Sequence, residues 1–99
     1  MSDAERVYQV LASIPAGRLC SYGEVARLAG LPGRARWIGR VLGQLPKDST
    51  LPWYRVINSQ GKISFPEGSA AYHRQLQHLI NEGSASPQGK IDWRQRRWP

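Results

Sequence analysis

The chain has 99 residues, enough for one small hydrophobic core and not for two. Fourteen Lys and Arg against seven Asp and Glu leave a net charge of +7, with arginine far ahead of lysine, so a polyanion is the expected partner. A single cysteine, Cys20, excludes an internal disulfide, and His73 and His78 miss the i, i+4 geometry of a helical ligand pair, so neither metal nor cofactor is expected.

Ser2 and Glu5 stand at capping-box spacing, and Val7, Val10, Leu11 and Ile14 follow at i, i+3, i+4 and i+7. They predict an amphipathic helix over residues 3–14, ended by Pro15-Ala16-Gly17. Leu19-Cys20 is a short apolar step into a second capping box, Ser21 with Glu24. The helix it opens carries Val25, Ala26, Leu28 and Ala29, stops at Gly30, and is expected to bury Cys20 against its start. Leu31-Pro32-Gly33 turns the chain, and from Ala35 to about Gln44 the helical spacing returns with Ile38, Val41 and Leu42 on one face. Two short helices joined in this way predict a helix-turn-helix.

Residues 45–50 read as a polar loop. Val56-Ile57, a turn at Asn58-Ser59-Gln60-Gly61, and Lys62-Ile63-Ser64 predict a small β-hairpin. Phe65 to Gly68 is an irregular loop, and Ala70 to Glu82 a further helix with Tyr72, Leu76, Leu79 and Ile80 apolar and Gly83 as its stop. In the basic tail, residues 84–99, Trp93 is expected to fold back over the core in a final strand. Trp98 is left open between packing and stacking on nucleic acid. The expected organisation is a single domain over residues 1–99.

Pro52-Trp53-Tyr54-Arg55-Val56 resembles the active-site segment of the O6-alkylguanine-DNA alkyltransferases, written Pro-Cys-His-Arg-Val in those enzymes. Ser21-Tyr22-Gly23-Glu24-Val25-Ala26, followed by Ala35-Arg36-Trp37-Ile38-Gly39, is similar to their DNA-binding segment. The resemblance spans roughly residues 3–83, and Trp53 in place of the cysteine points to the alkyltransferase-like proteins. These keep the scaffold and recognise alkylated guanine without removing the alkyl group. The resemblance implies a mostly α fold with a small β-hairpin, a winged-helix-like domain of the alkyltransferase C-terminal type, whose second motif helix enters the minor groove.

The chemistry of the substitutions agrees with that reading. An alkyl acceptor is a soft nucleophile such as a thiolate, and an indole has no comparable lone pair. Tyr54 stands where the enzymes have His, as the alkyltransferase-like proteins usually do, and a phenol titrating at about 10 is a poor base. No catalytic residue is expected. The resemblance places an Asn at the position of Leu45, so a hydrogen bond fixing the pocket turn cannot come from there. It also matches Glu82 to the carboxylate that orients the catalytic His, which leaves Glu82 a structural role here.

Tyr22, Arg34, Arg36, Trp37 and Arg40 are the expected DNA-binding residues, and Tyr22, Pro52, Trp53, Tyr54, Arg55 and Phe65 the expected lesion pocket. Between Arg27 and Arg55 six basic residues accompany one acid, Asp48. Arg36 either fills the gap left by a flipped nucleotide or contacts a phosphate. Tyr22 either presses on the target nucleotide or packs in the core. Arg55 holds the pocket turn or touches DNA, and Trp37 widens the wedge or buries against the first helix.

Three functions compete on these residues. The first is a non-enzymatic sensor that flips O6-alkylguanine in duplex DNA and marks it for nucleotide-excision repair. The second is a sequence-reading helix-turn-helix transcription regulator, for which no second copy or zipper matches a two-fold operator. The third is an alkyltransferase using Cys20, which has no neighbouring His. The sensor is expected to act as a monomer in the cytoplasm, alongside excision-repair proteins and without a membrane partner, since no leader and no bilayer-length apolar run is present.

Overall fold

Three of the helix starts fall on a capping serine. In the computed structural model, which describes residues 1–99, Ser2 Oγ accepts the Glu5 amide at 3.1 Å and Glu5 Oε1 the Ser2 amide at 3.0 Å. This complete box opens α1, Asp3–Ser13. At α2, Tyr22–Leu28, only half of the expected box forms. Ser21 Oγ accepts the Glu24 amide at 3.1 Å, but the Glu24 carboxylate is drawn to the Arg27 guanidinium and does not return to Ser21. Then come α3, Ala35–Gly43, a 3-10 turn at Trp53–Arg55, and α4, Ala70–Asn81, capped by Ser69 Oγ on the Tyr72 amide.

The small two-stranded sheet is present, but it is not a hairpin. Strand β1, Cys20–Ser21, pairs in parallel with β2, Val56–Ile57, placing Cys20 opposite Val56 and Ser21 opposite Ile57. Residues 62–64 do not return as a strand because Asn58 captures the turn. Its Oδ1 accepts the amides of Gln60 at 2.9 Å and Lys62 at 3.1 Å, removing the donor a returning strand needs.

The alternation along this pair divides the interior. Cys20 and Val56 belong to a cluster with Val7, Leu11 and Ile14 of the first helical segment, Val25 of α2 and Ile38 of α3. Ile57 joins Leu19, Ile63, Leu76 and Leu79 in a second cluster under α4. Burial of a Val, Leu or Ile side chain is worth ~1.5–3 kcal/mol, so side chains on both faces hold a pairing whose ladder is only two residues long.

The tail packs on the domain. Trp93 lies against the second cluster as expected, and Trp98 against the first. Residues 93–96 form a helical turn, α5, where a strand was expected, because Asp92 sets the turn and the Arg96 amide bonds back to its carbonyl at 3.2 Å. Strand-like pairing begins only after it. The Leu19 amide donates to Arg96 O at 2.7 Å and the Trp98 amide to Leu19 O at 2.8 Å. No helix is long and apolar enough to cross a membrane.

Candidate nucleic-acid interface

Ala35, Gly39 and Gly43 recur every four residues, so one face of α3 is almost free of side chains. That bare face forms one wall of a cavity of about 550 Å³. The N-terminal end of α2 from Ser21 to Gly23, the Trp53 ring, and the segment carrying Asn58, Ser59, Ser64 and Phe65 complete it. Cavities of ~300–1,000 Å³ hold small molecules, so there is room for one base with a substituent.

Trp53 is fixed by rings on several sides. Its indole meets Tyr54, Phe65 and His78 edge to face, with centroid separations of 5.8, 6.5 and 6.0 Å. Tyr22 reaches across the cavity, its hydroxyl 2.8 Å from Ser64 Oγ, and so joins α2 to the opposite wall. Phe65, 36% exposed, stands at the mouth. Arg36 lines the rim from α3, is exposed, and takes part in none of the ion pairs of the protein. No side chain caps the start of α3, and the first turn carries no acid, so that end stays open to an anion between Arg34 and Arg36.

Three of the expected pocket residues lie outside the cavity. Pro52 is buried behind the turn. The Tyr54 ring is stacked on His78, centroids 4.1 Å apart and planes within 6°, and its hydroxyl points to Glu82 Oε2 at 3.5 Å. Arg55 turns away entirely: Nη1 donates to Ile14 O at 2.8 Å and Nε to the Glu82 carboxylate. The favourable ion pair is why Arg55 faces inward. Burial would raise the Glu82 carboxyl, but its hydrogen bonds from Arg55 and the Gly17 amide outweigh this and hold it below its ordinary value. The Glu82 bond likewise raises the Arg55 guanidinium.

The expected DNA-binding set also divides. Tyr22 and Arg36 meet at the cavity; Arg34, Trp37 and Arg40 do not line it. Trp37 is half-buried against the first cluster, with the Arg34 guanidinium 5.2 Å from its ring centroid, and Arg40 is exposed farther along α3. Of the six basic residues between Arg27 and Arg55, Arg27 is closed by Glu24 and Arg55 by Glu82. Arg34, Arg36, Arg40 and Lys47 remain exposed and unpaired. Cys20 is fully buried, and burial, followed by the nearby Glu24 charge, pushes its thiol up to about 12, far from the thiolate that alkyl transfer needs.

These features coincide with a known sequence pattern. The family model of the 6-O-methylguanine DNA methyltransferase, DNA binding domain, matches residues 3–84. The chain belongs to this family. A DNA base-flipping protein of Vibrio parahaemolyticus is 48% identical over 94 residues, which cover 94% of this chain and 92% of that one. Alkyltransferase-like protein 1 of Schizosaccharomyces pombe is 42% identical over 78 residues, 79% of this chain and 72% of that one. The crystal structure of S. pombe Atl1 in complex with damaged DNA containing O6-carboxymethylguanine superposes with a TM-score of 0.86 at 35% identity, covering 98% of this chain and 94% of that one. The mostly helical fold with a small sheet is thus that of the family.

Several site residues were not singled out from sequence. Asn58, Ser59 and Ser64 supply the polar side of the cavity, and Gln75 fixes the turn that carries Trp53. Gln75 is 1% exposed and its Nε2 donates to Tyr54 O at 3.0 Å and Val56 O at 2.8 Å, so α4 supplies the hydrogen bonds that Leu45 cannot. A glutamine one residue before Leu76, on the apolar side of a helix, was the available signal. The small-residue face of α3 was visible as a four-residue repeat.

Proposed function

We propose that the chain is a non-enzymatic sensor of O6-alkylguanine in duplex DNA. In this reading α3 lies in the minor groove and Arg36 occupies the gap left by the extruded nucleotide. The base enters the cavity between α2, α3 and the Asn58–Phe65 segment, with its alkyl group against Trp53. The observation that carries the reading is Trp53 itself: a large apolar ring, held by three aromatic neighbours, lines the cavity where the alkyltransferases present their cysteine. Such a wall adds contact to an alkyl group and offers nothing to receive it. The exposed, unpaired Arg34, Arg40 and Lys47 support phosphate contacts around the Arg36 wedge, and relatives known as base-flipping and alkyltransferase-like proteins support extrusion of the base.

A protein that holds a lesion without reversing it has to hand it on, and the bound complex acts as a mark for nucleotide-excision repair. Monomeric binding in the cytoplasm completes the proposal. A duplex carrying a fluorescent base analogue beside one O6-methylguanine tests the extrusion. Addition of the protein should brighten the analogue and leave the lesion chemically intact. Addition of excision-repair proteins should then give faster incision at the lesion with the sensor than without it. No unstacking signal at saturating protein contradicts the flipping step, and unchanged incision contradicts the hand-over.

A further inference from the structure

The family pattern ends at residue 84, yet the segment beyond it reaches the back of the cavity wall. The wall opposite α3 runs from Asn58 to Phe65, and Asn58, Ser59, Ser64 and Phe65 face inward. At its rear is a tight turn. The Asn58 amide donates to Lys62 O at 2.9 Å and the Gly61 amide to Asn58 O at 3.0 Å. Gly61 is buried with φ of +77°, and a methyl group built on its Cα would lie 2.9 Å from Trp93 Cδ1 and 3.0 Å from Cγ. The indole therefore rests directly on the backbone of the turn, with the Arg97 guanidinium 5.3 Å from the ring centroid.

The other end of the tail is anchored to the opposite side of the site. Backbone bonds from the Leu19 amide to Arg96 O and from the Trp98 amide to Leu19 O tie it to the residue ahead of β1, three residues before Tyr22. One short segment thus backs both sides of the cavity, at Leu19 just ahead of β1 and α2 and at the rear of the Asn58–Phe65 wall. Tyr22 and Ser64 close the front of the same span at 2.8 Å.

We propose that Trp93 is a positioning residue for the lesion pocket: by backing Gly61 it sets how far the Asn58–Phe65 wall stands from Trp53 and α3, and so selects the alkylated base. This rests on the sensor reading above. Trp93 itself does not line the cavity. Its effect is transmitted through the backbone of the turn, where close packing leaves no slack for a smaller support.

Two readouts test the proposal on the full chain, one with DNA and one without. Without DNA, amide exchange of Gln60, Gly61 and Lys62 is measured in the wild type, Trp93→Phe and Trp93→Ala. Loss of the indole should speed exchange of these three amides selectively, while those of α1 and α2 keep their protection. With DNA, the ratio of affinities for O6-methylguanine and guanine duplexes should fall by about tenfold in Trp93→Ala, or ~1.4 kcal/mol, with the guanine duplex bound as before. Trp93→Phe, which keeps a flat ring on Gly61, should retain most of the ratio.

Gly61→Ala should reproduce the loss from the other side. At a φ of +77° the alanine strains the turn with or without the indole, so in the Trp93→Ala background Gly61→Ala should cost less of the ratio than in the wild type, by the part due to the clash with Trp93. A Trp93→Ala protein that keeps both the wild-type ratio and the protection of the turn overturns the proposal. So does a fall in affinity for both duplexes by the same factor, which marks general destabilisation. A wild type that does not discriminate the lesion overturns the sensor reading instead, and the exchange result then still decides whether Trp93 holds the turn.

Discussion

Arg55 and Glu82 close on each other behind the pocket turn: Arg55 Nε lies 3.0 Å from Glu82 Oε1 and 3.1 Å from Oε2, with the two side chains only 14% and 16% exposed. The pair joins the turn that carries Trp53 to the end of α4. Through Arg55 Nη1 on Ile14 O and the Gly17 amide on Glu82 Oε1, it also reaches the end of α1.

Glu82→Gln should therefore destabilise the fold by ~1.5–3 kcal/mol at neutral pH, the range for hydrogen bonds to charged groups. The pH dependence has a definite sign. The folded-state carboxyl titrates below its unfolded value of about 4.3, so its contribution is complete above that value. It disappears as pH falls through the lower folded-state value. Urea unfolding along an acid series should show the wild-type and Glu82→Gln curves separated at pH 7 and converging on acidification. Equal stability at pH 7 contradicts the role given to the pair.

Incubation with O6-methylguanine DNA should leave the mass of the protein unchanged. Trp53 lacks a nucleophile and the Cys20 thiol is both buried and held at about 12. Trp53→Cys should transfer the methyl group weakly at most, because Tyr54 stands in the position of the activating His. Trp53→Cys combined with Tyr54→His should transfer faster. A methyl adduct on Cys20 of the wild type, detected by peptide mass spectrometry, contradicts the non-enzymatic account.

Arg36→Ala should weaken lesion binding by ~1–3 kcal/mol and leave the thermal midpoint within a few degrees of the wild type. The side chain is exposed and unpaired, so its loss removes nothing from the core. If Arg36 only met a phosphate, the loss would be smaller and would shrink with salt. Full unstacking of a fluorescent base analogue by saturating Arg36→Ala contradicts the wedge role.

What could be read from sequence was what local chemistry determines. The helices follow from capping residues and apolar spacing, and Trp53 was identified from its neighbours Pro52 and Arg55-Val56. What could not be read was pairing over long separations. Val56-Ile57 finds its strand partner at Cys20-Ser21, far back in the chain, because burial on both faces outweighs the nearby turn signal. The sequence leaves Arg55 between holding the pocket turn and touching DNA, and the structure gives it the first role through Glu82, 27 residues away, a partner that local chemistry does not reveal. This pair and the Arg27–Glu24 pair together reduce the six basic residues of the cluster to four unpaired charges, a difference no composition reveals.

The most direct measurement is the affinity ratio between a duplex with one O6-alkylguanine and the same duplex with guanine, taken across a salt series. Phosphate contacts proposed for Arg34, Arg40 and Lys47 should be common to both duplexes, so both affinities should fall with similar slopes, about 0.9 per phosphate contact. The gap between them should persist. An alkylated base pairs poorly and is less costly to extrude, and its alkyl group gains contact with Trp53 at roughly 25 cal/mol per Å² buried. A larger alkyl group should widen the gap until the cavity of about 550 Å³ is full. Trp53→Ala should close most of it without changing the salt slope. Indistinguishable binding of the two duplexes at every salt concentration contradicts the sensor and favours a sequence-reading regulator built on α2 and α3.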